Sequence, residues 1–270
     1  MAAFDRKKVR SSFSRKATAY ELHAVVQKRV IDRVASKFGE ICTSPSCILD
    51  IGSGTGMLMK RAASFYPTAK IIGLDLAFGM SLAARDNLPN SASIAFLTAD
   101  AESLPFGNTS FDLVLSTSTF QWLDDLDRVF AEVFRVLTPG GRFVFTLFGD
   151  RTLFELRESY RKAWQLKGKG PEVRTHSFHY LYDVETALIR KGFIGSNVTS
   201  ETDVELHRNV PELLRSLRET GAGNAAPGQG RGLGERGVMR EMMDIYMRDH
   251  GSAGVLPATY EVIYGEAVKP

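Results

Sequence analysis

Three glycines at alternate positions, Gly52, Gly54 and Gly56, follow Asp50, which lies in a short apolar segment. Glycine lets the backbone approach a ligand closely, and a helix that begins near Met57 would offer unpaired backbone N–H groups. The pattern therefore predicts a ligand-binding turn between a strand and a helix. In a nicotinamide dinucleotide fingerprint the third glycine would stand at position 57, so Met57 argues against that cofactor.

Two further aspartates close the next two predicted strands. Asp75 is followed by Leu76, and an ionised carboxylate there can accept two hydrogen bonds from a ribose diol. Asp100, followed by Ala101, ends the next strand. The carboxyl ends of parallel strands share the sheet edge at which open α/β folds bind ligands, so we expect Asp50, Asp75 and Asp100 to meet there. Each aspartate taken alone could equally be a turn residue.

Short β-rich segments alternate with helical patterns, and the predicted strands are 48–51, 70–76, 94–99, 113–116 and 142–147. We expect an α/β fold with a doubly wound, mostly parallel sheet and an antiparallel C-terminal edge strand at 259–268. The clearest helix, 124–137, has apolar residues at three- and four-residue spacing and is expected to stop at Pro139-Gly140-Gly141. An apolar stripe also predicts an N-terminal helix that ends near Gly39, formed by Leu22, Val26, Val30 and Val34.

We expect a single domain built from four segments. A helical cap (1–45) precedes a core that carries the three aspartates (46–150). A segment with a substrate-side insertion and sheet-edge elements (151–254) includes a glycine-rich loop at 221–234, and the C-terminal edge strand (255–270) completes the sheet.

Composition excludes several classes of protein. Thirty-four Lys and Arg residues against 31 Asp and Glu give a net charge of +3, too small for a protein that coats nucleic acid. No segment approaches the roughly eighteen apolar residues of a membrane span. Cys42 and Cys47 alone cannot form a disulfide framework or a four-ligand zinc site, and His176 and His179 favour packing or surface roles over a metal. We therefore expect a reduced, cytoplasmic protein with no metal, no membrane association and no nucleic acid.

The Gly-x-Gly-x-Gly spacing resembles motif I of the class I S-adenosylmethionine-dependent methyltransferases. That resemblance implies S-adenosylmethionine as the cofactor, with Asp75 on its ribose and Asp100 and Ala101 on its adenine. It also implies that Ser116 and Gln121 bind the cofactor from the pocket wall, although Gln121 and Trp122 could equally pack in the core.

Segments across almost the whole chain resemble the malonyl-[acyl-carrier protein] O-methyltransferase family of biotin synthesis; they are 13–20 with His23 and Gln27, 111–114 with Gln121 and Trp122, 152–157, 214–224, 231–233 and 256–262. The resemblance implies methyl transfer to the free carboxylate of a malonyl thioester on acyl-carrier protein. No general base is needed, because a malonyl carboxylate is already ionised at neutral pH.

A bound carboxylate needs a fixed cation, and a guanidinium can pair with it at two points. We expect Arg157 to be this clamp, although an arginine on a helix surface is an equal alternative; Arg15 and Arg231 are weaker candidates. Tyr20 is expected to help shut the pocket and to donate its hydroxyl to the substrate.

The acyl carrier is acidic, so basic residues could steer its docking, although a solvated basic face is the commoner outcome. The two candidate groups are Arg6, Lys7, Lys8 and Arg10, and Arg157, Arg161 and Lys162. Three other functions stay open: a quinone C-methyltransferase, a dicarboxylate O-methyltransferase, and a non-catalytic module that only binds the cofactor.

Overall fold

The computed structural model describes residues 6–88, 91–123, 125–168, 177–225 and 233–270. The strands in these ranges are β1 (Cys47–Ile51), β2 (Lys70–Asp75), β3 (Ile94–Thr98), β4 (Phe111–Thr117), β5 (Leu137–Phe148), β6 (Ile194–His207) and β7 (Leu256–Val268). The α-helices are α1 (Arg6–Lys16), α2 (Tyr20–His23), α3 (Val25–Ser36), α4 (Phe38–Ile41), α5 (Met57–Phe65), α6 (Phe78–Asn87), α7 (Leu126–Val136), α8 (Phe154–Leu166), α9 (Leu181–Arg190), α10 (Val210–Glu219) and α11 (Leu233–His250). Short 3₁₀ turns occupy Phe120–Trp122 and Ala222–Ala225.

The strands form one sheet in the order β3-β2-β1-β4-β5-β7-β6. The first five are parallel, and Leu49 of β1, for example, lies between Ile72 of β2 and Val114 of β4. The chain order reverses on the two sides of β1, so the turn after β1 opens at the topological switch point, where doubly wound sheets bind ligands. The predicted doubly wound, mostly parallel sheet is confirmed.

The C-terminal strand is antiparallel, as predicted, but its place at the edge needs correction. β7 pairs antiparallel with both neighbours, and Gly265 lies between Phe145 of β5 and Val198 of β6. The edge strand is therefore β6. It was not predicted because it is polar and largely exposed, so it shows no clear apolar alternation. β7 is buried along most of its length, as a central strand must be.

The predicted N-terminal helix is interrupted. Val26, Val30 and Val34 are buried on α3, as the apolar stripe predicts, whereas the side chain of Leu22 is 78% exposed. The backbone leaves the helical conformation at Ala24 (ψ 56°), which separates α2 from α3 and turns Leu22 away from the core.

Helix α7 is shorter than predicted at both ends. It begins after Asp125, whose carboxylate accepts a hydrogen bond from the backbone N–H of Arg128 at 3.1 Å and so caps the helix. It ends at Val136 because Leu137 already belongs to β5. Pro139-Gly140-Gly141 lies within β5, so the prediction that these residues stop the helix is wrong, and Asp124 lies outside the described residues.

Three large apolar clusters and one small one, around Ala17, Ala77 and Met80, occur among the described residues. One side of the sheet packs on α7 and α9, and the other packs on α3 and α5. A third cluster joins α8, α10 and α11 to β7, with Met242 and Tyr246 of α11 buried and Met239 and Met243 half-buried beside them.

Among the described residues, no helix is long and apolar enough to cross a bilayer. The same residues contain no cluster of three or more His, Cys, Asp or Glu side chains that could hold a metal ion. His176, Arg231 and positions 226–232 of the predicted glycine-rich loop lie outside the described ranges.

Candidate active site

The glycine turn after β1 has a conformation that favours glycine at all three positions. Gly52, Gly54 and Gly56 have φ values of 71°, 54° and 84°. A Cβ atom on Gly52 would lie 2.0 Å from the hydroxyl oxygen of Thr119, and one on Gly56 would lie 2.2 Å from Leu88. The backbone N–H of Gly52 donates to the carbonyl of Leu74 at 2.7 Å. The turn is therefore fixed across the end of β2.

Asp75, the last residue of β2, hydrogen-bonds to the glycine turn through its carboxylate. Its carboxylate accepts hydrogen bonds from the backbone N–H groups of Gly54 (3.0 Å) and Ala77 (2.7 Å). Burial nevertheless raises the pKa of Asp75 to about 6, against the opposing effect of the two hydrogen bonds. Asp75 lines the adjoining cavity, where its carboxylate can receive further donors.

Asp50 lies buried behind the turn, and its side chain is 1% exposed. Neither carboxylate oxygen has a hydrogen-bond partner among the described residues. Burial and the charge of Asp75 raise the pKa of Asp50 to about 8. A buried carboxylate without a partner is stabilised by a nearby cation or a strong hydrogen-bond donor.

A cavity lies between the glycine turn, the ends of β2 and β3, and α1. Six of the predicted site residues line it: Gly52, Gly54, Asp75, Leu76, Ala101 and Tyr20. Six others do not, namely Asp50, Gly56, Asp100, Ser116, Gln121 and Arg157. Asp50 is buried behind the turn, whereas Gly56 and Ser116 hydrogen-bond within it: the backbone N–H of Gly56 donates to the carbonyl of Ser53 at 2.9 Å, and the Ser116 hydroxyl donates to the carbonyl of Ile51 at 2.8 Å. We call this the cofactor cavity.

Helix α1 covers the cofactor cavity. The guanidinium of Arg6 donates to the carboxylates of Asp100 and Glu102, each at 2.6 Å. At the other end of α1, the backbone N–H of Gly79 donates to the hydroxyl of Ser14 at 3.0 Å. Arg6 therefore does not belong to a solvated basic face, and the carboxylate predicted to face adenine is bonded to the cover.

A second cavity adjoins the first, and the two share Phe13, Tyr20, Ser118 and Trp122. We call these four residues the partition and the second space the acceptor cavity. The ring centroids of Phe13 and Trp122 are 5.5 Å apart in an edge-to-face arrangement. Burial, with the nearby charges of Asp75 and Glu21, raises the pKa of Tyr20, so its hydroxyl stays protonated and able to donate.

Arg157 stands near the acceptor cavity without lining it. Its guanidinium donates to the carbonyl of Asp150 and lies 5.6 Å from the ring centroid of Phe178, which does line the cavity. Its Nε is buried with no hydrogen-bond partner among the described residues. Arg15 is exposed and donates to the hydroxyl of Ser11.

His23 is the basic side chain among the described residues that line the acceptor cavity. Sequence reasoning gave it no role. The available signal was its position three residues after Tyr20, which places both side chains on one face of a single helical turn. Glu205 of β6 is the acidic side chain on the same wall.

Two distant segments that carry the family resemblance lie together beside the acceptor cavity. The backbone N–H of Leu153 donates to the carbonyl of Thr259 at 2.6 Å. The buried carboxylate of Glu155 accepts from the backbone N–H of Thr259 at 3.3 Å and also from its hydroxyl. This unit fixes the start of α8 against β7, and Thr152 and Leu153 form part of the cavity wall.

These features fit S-adenosylmethionine. Gly52, Gly54 and the carboxylate of Asp75 line the cofactor cavity, an unpaired acid is buried behind the turn, and the aromatic rings of Phe13, Tyr20 and Trp122 line one side. Together with the strand order, they define a class I methyltransferase. A family model described as a methyltransferase domain matches residues 49–145.

Comparison with known proteins gives the particular family. The chain is 49% identical over 261 residues to a malonyl-[acyl-carrier protein] O-methyltransferase of Geobacter sulfurreducens, covering 97% of this chain and 98% of that one. The enzyme of the same name from Laribacter hongkongensis is 37% identical, with 98% and 90% covered. The chain belongs to the malonyl-[acyl-carrier protein] O-methyltransferase family, as the sequence predicts.

Solved structures agree on the fold. Phosphoethanolamine N-methyltransferase 2 of Haemonchus contortus, in complex with S-adenosyl-L-methionine, superposes with a TM-score of 0.60 at 21% identity, covering 95% of this chain and 57% of that one. A methyltransferase from Bacillus halodurans gives 0.60 at 17% identity, with 87% and 98% covered. The predictions of an enzyme and of S-adenosylmethionine as its cofactor are confirmed.

Proposed function

We propose that this protein transfers the methyl group of S-adenosylmethionine to the free carboxylate of a malonyl thioester carried by acyl-carrier protein, forming the methyl ester. The proposal rests on one observation in particular, that the cofactor and acceptor cavities share a wall at Phe13, Tyr20, Ser118 and Trp122. A reacting group in each cavity would meet at this partition. The names of the curated relatives support the choice of acceptor.

The chemistry asks little of the protein beyond placement. When bound, the cofactor supplies a methyl group that its sulfonium already activates. The malonyl carboxylate is ionised at neutral pH, so the chain does not need to remove a proton. Its task is to hold carboxylate oxygen, methyl carbon and sulfur in line, a proximity effect of about 7–11 kcal/mol in favourable cases. The half-buried aromatic rings of the partition would also help to exclude water from the reacting atoms.

The carboxylate needs a donor or a cation in the acceptor cavity. Tyr20 and His23 line the cavity, and the Tyr20 hydroxyl is held in its protonated form. Arg157 remains the predicted clamp: its Nε has no partner among the described residues, and its guanidinium lies 5.6 Å from the ring centroid of Phe178, which lines the cavity. Methylation removes the negative charge in either case, so the product would lose this contact and leave readily.

The direct test is mass spectrometry of malonyl-carrier after incubation with the protein and cofactor. We expect one methyl increment that is lost on ester hydrolysis, and no increment on acetyl-carrier, which lacks the free carboxylate. Methylation of a quinone precursor instead, or equal labelling of acetyl-carrier, would refute the proposal.

Paired variants separate the two candidate residues, Arg157 and His23. If Arg157 is the clamp, Arg157→Ala should raise KM for malonyl-carrier at least tenfold, since charge-assisted pairs contribute more than about 1.4 kcal/mol. If His23 makes the contact, His23→Gln should have this effect and Arg157→Ala should not. Calorimetry with S-adenosylhomocysteine is the control, because neither variant should change cofactor affinity.

Carrier docking is the finer part of the proposal. Internal ion pairs reduce both predicted basic faces: Arg6 is bonded to Asp100, and Lys162 is paired with Asp249 at 2.9 Å and with Glu158 at 3.0 Å. The remaining exposed cations should still make turnover of malonyl-carrier sensitive to salt, and turnover of a small malonyl thioester less so. An equal salt response of both substrates would argue against electrostatic docking.

A further inference from the structure

One residue of the partition has a backbone conformation unusual for its type. Ser118 connects β4 to the turn Phe120–Trp122 and has a φ of 52°, in the left-handed region that non-glycine residues seldom adopt. It lies on the wall of both cavities. Such a conformation persists only where the surrounding structure holds it.

Two contacts hold Ser118 in place. Its backbone N–H donates to the carbonyl of Thr146 in β5 at 3.0 Å and lies 3.2 Å from the hydroxyl of the same residue. Its carbonyl accepts from the side-chain Nε2 of Gln121 at 2.7 Å. Both the backbone N–H and the backbone carbonyl of Ser118 are thus hydrogen-bonded.

Gln121 uses both ends of its amide within the protein. Its side chain is 2% exposed, and its Oε1 accepts from the backbone N–H of Phe148 at 3.4 Å while Nε2 binds Ser118. Gln121 lines the acceptor cavity and not the cofactor cavity. Since its hydrogen-bonding groups are already engaged, the predicted role as a cofactor ligand has no support from the geometry.

We propose that Gln121 is a positioning residue, which holds Ser118 in the left-handed conformation and thereby fixes the partition where acceptor and methyl donor meet. The inference rests on the proposed function for the identity of the acceptor. The next residue along the chain is Trp122, another member of the partition, so loss of the Gln121 contacts would displace both. Joining the carbonyl of Ser118 to the backbone N–H of Phe148 requires a side chain with a donor and an acceptor at its end, which the amide of Gln121 supplies.

The test uses Gln121→Leu, which removes both hydrogen bonds at similar size, and Ser118→Gly, which adopts a positive φ without strain. We expect Gln121→Leu to lower kcat on malonyl-carrier at least tenfold, while the Kd for S-adenosylhomocysteine changes less than threefold. In the double variant Ser118→Gly/Gln121→Leu, kcat should return most of the way to the kcat of Ser118→Gly alone. Gln121→Glu, which keeps the size but loses the donor when ionised, should resemble Gln121→Leu.

A readout without turnover completes the experiment. The chain has two tryptophans, so Trp164→Phe leaves Trp122 as the sole tryptophan, whose emission can be followed separately from that of the tyrosines. We expect its emission to shift in Gln121→Leu and to return in the double variant. A rise in cofactor Kd that matches the loss of kcat would instead identify Gln121 as a cofactor ligand, and folded variants without any rescue would refute positioning through Ser118. If the wild-type protein failed to methylate malonyl-carrier, the proposed function would fall while the fluorescence still decided the role of Gln121.

Discussion

The position of α1 over the cofactor cavity can be tested by replacing Gly79 with alanine, which adds a single methyl group. This residue lies in the first turn of α6, and its φ is not positive, so alanine is conformationally acceptable there. A Cβ atom at this position would lie 2.4 Å from the carbonyl oxygen of Ser14 and 2.9 Å from its Cα. Both atoms are backbone of α1, which cannot rotate away as a side chain could.

The expected displacement follows from these distances. Ordinary contact with a Cβ begins at 3.4 Å, so the Ser14 oxygen at 2.4 Å must retreat by 3.4 − 2.4 = 1.0 Å. A rigid movement of that size along the bond direction would lengthen the Arg6 to Asp100 contact from 2.6 Å to about 3.6 Å, beyond hydrogen-bond distance. Overpacking of this kind costs about 1–3 kcal/mol, and the closed cover bears that cost.

If the cofactor binds under a closed cover, the same energy weakens its binding by about 5- to 150-fold. Calorimetry of Gly79→Ala with S-adenosylhomocysteine measures this directly. Gly237→Ala is the matched control, because Gly237 is also helical and exposed and a Cβ atom there would meet nothing within 4 Å. It should retain wild-type affinity and gain about 0.5–1 kcal/mol in stability. Wild-type affinity in Gly79→Ala would refute the reasoning that α1 must be seated for binding.

Three further predictions concern the turn, the buried acid and the wall. Gly52→Ala should abolish cofactor binding in calorimetry, because its Cβ would lie 2.0 Å from the Thr119 hydroxyl at a φ of 71°; retained binding would contradict the tight-turn argument. Burial raises the pKa of Asp50 to about 8, and a bound sulfonium favours the ionised carboxylate. Binding of S-adenosylmethionine should therefore release a proton, and its affinity should rise by at most tenfold per pH unit between about pH 6 and about pH 8. Calorimetry in buffers of different ionisation enthalpy detects that proton, and Asp50→Asn should lose it. Glu155→Leu leaves the Thr259 donors buried without a partner and should lower the free energy of unfolding by about 1–3 kcal/mol in urea titrations, whereas an unchanged midpoint would refute the proposed linkage.

Most of the cofactor side was predictable because its signals are local. The strand, the glycine turn and the next helix are consecutive in sequence, so apolar period and glycine spacing predict them without knowledge of the rest of the chain. Asp75 and Ala101 reach the same cavity because parallel strands share one carboxyl edge.

The acceptor side was less predictable because it is assembled from distant residues. The Glu155 to Thr259 contact beside the acceptor cavity joins positions 104 apart, and the Arg6 to Asp100 pair, which holds α1 over the cofactor cavity, joins positions 94 apart. Neither pairing has a sequence period that could indicate it. Edge strand β6 was missed for the related reason that a polar, exposed strand shows little apolar alternation.

The sequence by itself determined the class of sheet, the binding turn and the family, since each depends on residue types at short spacing. Only the tertiary structure decided that α1 covers the cofactor cavity, that Arg157 does not line the acceptor cavity, and that Gln121 forms hydrogen bonds with Ser118 and Phe148. The physical reason is that these outcomes depend on which backbones approach one another after folding. Side-chain hydrogen bonds between distant segments depend on that approach and leave no local pattern.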